Sequence, residues 1–142
     1  MEEKLITLFR RVTIKHRTII QRFLDDYGLY IGQPRYLFIL EANPGITLRD
    51  MVEKLELTKE SVSVTLKRLE RNGYVSKIVS KDDKRAKLLY LTDEGKNVIS
   101  KFRHRFDELD NQLFESLSDK DQEKLKEYFL VILDKLAEGE RK

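Results

Sequence analysis

The chain has 142 residues, 40% of them hydrophobic and 37% charged, with seven Phe, six Tyr and a net charge of +3. That is apolar material for one ordinary domain with a heavily solvated surface, which excludes intrinsic disorder and disfavours a two-domain enzyme. Cysteine is absent, which excludes disulfide frameworks, thiolate metal sites, cysteine nucleophiles and thiol redox switches, and suits a reducing, cytoplasmic setting.

The N-terminal segment MEEKLITLFRR has acids ahead of its basic pair and no small-residue cleavage site, and no apolar run reaches the length of about 18 residues that a spanning helix needs. Neither a membrane span nor an export signal is expected. Over residues 4–27, Leu5, Phe9, Val12, His16, Ile19, Phe23 and Tyr27 recur at steps of three and four, an apolar stripe along one long helix. Gly32-Gln33-Pro34 opens a second helix of about ten residues carrying Tyr36, Leu37 and Leu40, and Asn43-Pro44-Gly45 stops it.

Thr47 reads as an N-cap with Asp50 three positions on, starting a helix with Leu48, Met51, Val52 and Leu55 on its apolar side. Glu56-Leu57 is a tight turn, and Thr58 caps the next helix. There Val62, Leu66 and Leu69 form a narrow inner stripe, while Ser63, Val64, Lys67, Arg68 and Arg71 face elsewhere, and Asn72-Gly73 closes it. Residues 74–80 and 87–91 are β-branched, aromatic and aliphatic, and the polar KDDKRA between them predicts a two-stranded hairpin with a charged tip. Thr92 caps a long helix with Val98, Phe102, Phe106, Leu109 and Leu113 in a stripe. Ser118 caps a final helix expected to hold Leu125, Phe129, Ile132 and Leu136 inside.

Charge is segregated along this order. Residues 1–46 carry +2, residues 47–91 carry +4 and residues 92–142 carry −3. A basic centre beside an acidic tail suits a polyanion-binding module on a scaffold that avoids the polyanion, although so small a difference also arises by chance. Two helices joined by a tight turn, the second with an exposed Ser/Lys/Arg face, followed at once by a β-hairpin, have the order of a winged helix-turn-helix. Plain helix packing with solvated basic residues is the competing reading. The fall of basic side chains on both the second helix and the hairpin tip favours DNA binding.

From Gly32 to Gly95 the chain resembles the MarR family of transcriptional regulators. The likeness rests on GQPRYLFIL, PGITLRDMVEKL, LTKESVSVTLKRLERNGYV, DDKRAK and LTDEG, and the flanking helices extend it over nearly the whole chain. The resemblance implies a mainly α fold with a small β-hairpin: a winged helix-turn-helix at about 33–91, flanked by dimerising helices at about 2–27 and 92–138, in a single domain spanning 1–142. It also implies a homodimer that reads a pseudo-palindromic operator in double-stranded DNA, and a repressor released by a small aromatic or apolar effector. The alternative is a winged-helix protein-interaction module that does not bind DNA.

The DNA-binding candidates are Thr58, Lys59, Ser61, Ser63, Val64, Lys67, Arg68, Lys84, Arg85 and Lys87. A helix N-terminus offers backbone N–H groups to phosphate, short serines permit close approach, and Lys67 and Arg68 add reach. Arg85 matches the family's wing arginine, which enters the minor groove, and Asp83 matches the acid that supports it. Turn formation is the other role open to Asp82 and Asp83. Where the family commonly has a basic residue this chain has Val64, which either meets a thymine methyl group or is a tolerated surface residue.

His16, Tyr27, Tyr30 and Tyr36 lie near the junction of the first two helices, where the family's ligand pocket forms, with aromatic packing as the competing explanation. His16 and His104 read as core or interface histidines. No metal site and no cofactor are expected, and the missing cysteine argues against the peroxide-sensing branch of the family. No nucleophile elbow, phosphate loop or zinc-protease motif is present, so no enzymatic activity is expected.

Overall fold

Helix geometry follows the punctuation of the sequence closely. The computed structural model describes residues 2–140, with α1 over Leu5–Asp25, α2 over Gln33–Ala42, β1 over Ile46–Thr47, α3 over Leu48–Leu55, α4 over Lys59–Arg71, β2 over Val75–Val79, β3 over Lys87–Leu91, α5 over Asp93–Phe114 and α6 over Asp119–Glu140. Four of these helices start on a hydroxyl that accepts a backbone N–H three residues on. Thr47 Oγ1 takes Asp50, Thr58 Oγ1 takes Ser61, Thr92 Oγ1 takes Gly95 and Ser118 Oγ takes Asp121, at 3.0–3.2 Å. The winged helix-turn-helix order predicted from the sequence is the order observed.

The hairpin is larger than predicted by one strand. β1 adds to the far side of β3, giving the antiparallel order β1-β3-β2 with Ile46 opposite Leu89 and Val75 opposite Leu91. Two residues carry no periodicity, so β1 exists only because β3 offers an edge beside it. Gly45, at φ +85°, turns the chain into this edge, and its N–H bonds the Leu89 carbonyl at 2.9 Å.

The chain divides into two compact units, residues 1–103 and 104–142. In the first, Leu24, Leu37, Leu40, Met51, Leu66 and Phe102 are among the fully buried side chains, and every helix of the unit contributes to the core. Gly95 is indispensable there: a Cβ would stand 2.4 Å from the Tyr74 carbonyl oxygen. The first turn of α5 thus lies directly against the backbone that begins the hairpin. Arg103 adds a guanidinium paired with Glu41 and set over the Phe38 ring.

Two expectations change here. The α1 stripe was expected to run through Tyr27, but the helix ends at Asp25 and Tyr27 lies in the turn beyond it. Moreover the stripe is not what anchors α1: Ile20 and Leu24 are buried, whereas Leu5, Phe9, Val12 and Ile19 are exposed. In the second unit, Gln122 Nε2 donates to the carbonyls of Phe114 and Leu117 at 3.0 Å, closing the end of α5. Phe129, Ile132 and Leu136, expected inside, are exposed, and α6 has no buried residue. An open cleft of about 330 Å³ lies between Phe114 and Leu125, Phe129 and Leu130. Among the described residues no helix is long and apolar enough to cross a membrane.

Candidate nucleic-acid interface

The turn between α3 and α4 is held from two directions. Glu56 takes a left-handed conformation, φ +56° and ψ +39°, which reverses the chain in a few residues and costs a non-glycine residue some strain. From α2, the Arg35 guanidinium donates to the Lys54 and Leu55 carbonyls at 3.1 and 3.4 Å, placing a cation on the open end of α3.

This turn delivers α4 with its two faces clearly separated. Val62, Leu66 and Leu69 are buried. Lys59, Ser61, Lys67 and Arg68 are exposed, Ser63 is half-buried, and Val64 stands 51% exposed on the polar face. Thr58 serves as the cap, so its hydroxyl oxygen is already engaged by Ser61 N–H. The exposed positions therefore offer Lys59, Glu60 and Ser61 in the first turn and two long cations, Lys67 and Arg68, toward the C-terminal half.

The hairpin tip is knit by short-range bonds. Ser80 N–H bonds the Ala86 carbonyl at 2.9 Å, and Ser80 Oγ accepts from the N–H groups of Asp82 and Asp83 at 3.3 Å. Asp83 Oδ1 accepts the Arg85 N–H at 3.0 Å, and the Asp83 carbonyl takes the Ala86 N–H. Asp83 thus shapes the loop through the Arg85 backbone and leaves the guanidinium outward. Lys84, Arg85 and Lys87 are all exposed.

The four candidate pocket residues fall in different surroundings. Tyr27 stands edge-on to Phe23 and Phe102 at 5.5 and 5.4 Å between ring centres, with Lys101 Nζ 5.8 Å from its ring. Tyr36 is buried, His16 is half-buried on α1 and Tyr30 is 62% exposed. Among the described residues no cluster of three or more His, Asp or Glu is arranged to hold a metal ion.

Sequence reasoning missed the side chains that hold this surface in place: Arg35, and the pair Asn72 and Tyr74 at the end of α4. The sequence marks Asn72 only as a cap and Tyr74 only as a strand residue. Tyr74 O–H donates to the Tyr27 carbonyl at 2.8 Å, and burial, with Glu94 and Tyr27 nearby, raises its phenol above the ordinary value. Nothing in the periodicity signals a contact across 47 residues of sequence.

Comparison with known proteins places this geometry. The model of the MarR family matches residues 27–86, from the α1–α2 turn to the hairpin tip. The regulator BilQ of Clostridioides difficile (strain CD3) is 31% identical over 114 residues, 80% of this chain and 77% of its own. The chain belongs to the MarR family. It is a transcriptional regulator and not an enzyme. Uncharacterized regulator YwoH of Bacillus subtilis (strain 168) is 29% identical over 110 residues, covering 78% of this chain and 80% of its own. Among solved structures, the MepR–DNA complex of Staphylococcus aureus matches 94% of this MarR-family chain and 99% of its own at TM-score 0.79 and 27% identity. The regulator SlyA matches 96% of each chain at TM-score 0.75 and 21% identity, a likeness of fold.

Proposed function

We propose that this MarR-family protein is a cytoplasmic homodimer that binds a pseudo-palindromic operator in double-stranded DNA, represses transcription from it, and is released by a small aromatic or apolar effector. The observation that carries the reading is the division of α4: an apolar stripe wholly buried in its own unit, and bare positions elsewhere that hold Lys59, Ser61, Val64, Lys67, Arg68 and Arg71 together with the acids Glu60 and Glu70. A helix that leaves those positions in solvent, in the same compact unit as a basic hairpin tip, fits a major groove flanked by phosphates.

Each proposed contact has a distinct chemistry. Lys59, Lys67, Arg68, Lys84 and Lys87 neutralise phosphates, Ser61 and Ser63 let the first turn approach closely, Arg85 reaches the minor groove from a tip shaped by Asp83, and Val64 packs on a thymine methyl group. The likeness to a DNA-bound MepR supports the partner.

The dimer is supported by the apolar rows that α1 and α6 each leave in solvent, from Leu5 at 86% to Val131 at 69% exposed. The aromatic group of Tyr27, Phe23 and Phe102, with Tyr36, Tyr30 and His16 on the neighbouring elements, is where the effector is proposed to act.

Selection of bound duplex from a random pool, followed by footprinting, tests the reading. The expected site is an imperfect palindrome with half-site centres roughly 10 base pairs apart. A single asymmetric half-site occupied by one chain contradicts the dimer. Failure to retain any duplex at low salt favours the winged domain as a protein-docking module.

A further inference from the structure

Five side-chain hydrogen bonds reach the backbone of the connector between α1 and α2, residues 26–32: three from the neighbouring Gln21 and Gln33, and two from the remote Asn72 and Tyr74. On the α1 side, Gln21 Nε2 donates to the Leu29 carbonyl at 2.8 Å and Gln21 Oε1 accepts the Ile31 N–H at 3.0 Å. From the start of α2, the buried Gln33 accepts the Tyr30 N–H at 2.8 Å. On the far side, Asn72 Nδ2 donates to the Gly28 carbonyl at 3.3 Å, and Tyr74 O–H donates to the Tyr27 carbonyl at 2.8 Å. Leu29, 1% exposed, pins the middle of the segment in the core.

Asn72 is the C-cap of α4, and its own N–H bonds back to Arg68 and Glu70. The connector therefore grips α4 at its C-terminal end, opposite the first turn that carries Lys59 and Ser61. A helix of 13 residues is about 20 Å long at 1.5 Å per residue. Tilting it by about 5° at Asn72 moves its first turn by about 1.7 Å, more than the ~0.5 Å tolerance of a specific contact. Phosphate attraction falls off more gently with distance and tolerates such a shift.

We infer that the α1–α2 connector is the seat that fixes the pitch of α4, with Gln21, Asn72 and Tyr74 as positioning residues for operator discrimination. The inference rests on the reading of α4 as the DNA-recognition helix. It assigns to three side chains outside the proposed DNA contacts a role in choosing among DNA sequences, through their bonds to the connector backbone.

The test uses full-length protein and two probes, a duplex selected from a random pool by wild type and a scrambled duplex of equal length, with affinities measured well below each variant's unfolding temperature. The double variant Asn72→Ala, Tyr74→Phe is expected to lose about tenfold on the selected duplex and about twofold at most on the scrambled one. Gln21→Ala is expected to cost a similar factor alone and about twofold at most when added to the double variant, because the seat is already loose. Losses that are equal on both duplexes, or that multiply fully when combined, overturn the inference and leave these bonds as ordinary supports of the fold. Should the double variant not fold, Asn72→Ala alone, at an exposed position, is read against the same two outcomes. Failure of wild type to select any duplex overturns the reading of α4 and the inference with it, whereas selection by wild type with an unchanged ratio in the variants overturns the inference alone.

Discussion

Helices α4 and α6 both carry apolar and charged residues, yet they expose opposite things. On α4 the apolar residues Val62, Leu66 and Leu69 are 0–1% exposed and the cations face solvent. On α6 the apolar residues themselves face solvent, with Leu130, Val131 and Leu133 at 59–69% exposed. A bare polar face is stable in water and waits for a ligand that rewards charge. A bare apolar face of this extent is costly in water and is made to be covered. The first marks the proposed DNA surface and the second the proposed surface for another copy of the chain.

The largest expected effect comes from breaking the second half of this contrast. Leu130→Asp with Leu133→Asp puts two carboxylates where the partner is proposed to pack, and burial of unpaired charges costs several kcal/mol. Sedimentation is expected to show the dimer constant weakened by about a thousandfold or more, and a variant that remains fully dimeric at micromolar concentration removes α6 from the interface. Next is Gly95→Ala, whose methyl group would stand 2.4 Å from the Tyr74 carbonyl oxygen and so must displace that backbone or move α5. A loss of about 2–4 kcal/mol in denaturant unfolding is expected, without change in the dimer constant. Thr58→Ala removes the α4 cap and is expected to cost about 1 kcal/mol of stability, with binding weakened on every duplex.

The smallest effect is a pH dependence at Tyr74. Its phenol is raised by burial first, then by Glu94 and Tyr27, so the folded protein holds the neutral form while the unfolded chain ionises near the ordinary value. The stability this group contributes is complete below about pH 10 and is lost as pH climbs through the higher folded value. Urea midpoints measured from pH 8 upward are expected to fall for wild type more steeply than for Tyr74→Phe above that point. Parallel curves would show that the hydroxyl is not coupled to folding.

The legible part of the fold was its punctuation. The caps at Thr47, Thr58, Thr92 and Ser118 announce themselves because a hydroxyl followed by a helical stripe has one good use, and each makes the bond expected of it. The two faces of α4 were equally legible, since 3.6-residue periodicity separates Val62, Leu66 and Leu69 from Lys67 and Arg68 without ambiguity. Periodicity cannot say which apolar stripe a helix turns toward its own core. On α1 it pointed to Phe9 and Val12, whereas Ile20 and Leu24 do the anchoring. Nor can it find β1, or the bonds of Asn72 and Tyr74, which arise only when residues far apart in the chain meet.

The claim that the bare face of α4 and the hairpin tip form one DNA-reading surface is tested most directly by salt-titrated binding of wild type, Arg85→Ala and Val64→Ala to a selected and a scrambled duplex. Arg85→Ala is expected to weaken both duplexes together and to flatten the salt dependence by about one unit of slope. Val64→Ala is expected to cost on the order of 1 kcal/mol on the selected duplex alone, with the slope unchanged, and replacing the contacted thymine by uracil should reproduce that loss in wild type. Normal binding by Val64→Ala makes the valine a tolerated surface residue. If Arg85→Ala leaves both affinities and the slope where wild type has them, the hairpin is not a DNA-binding wing and the account is contradicted.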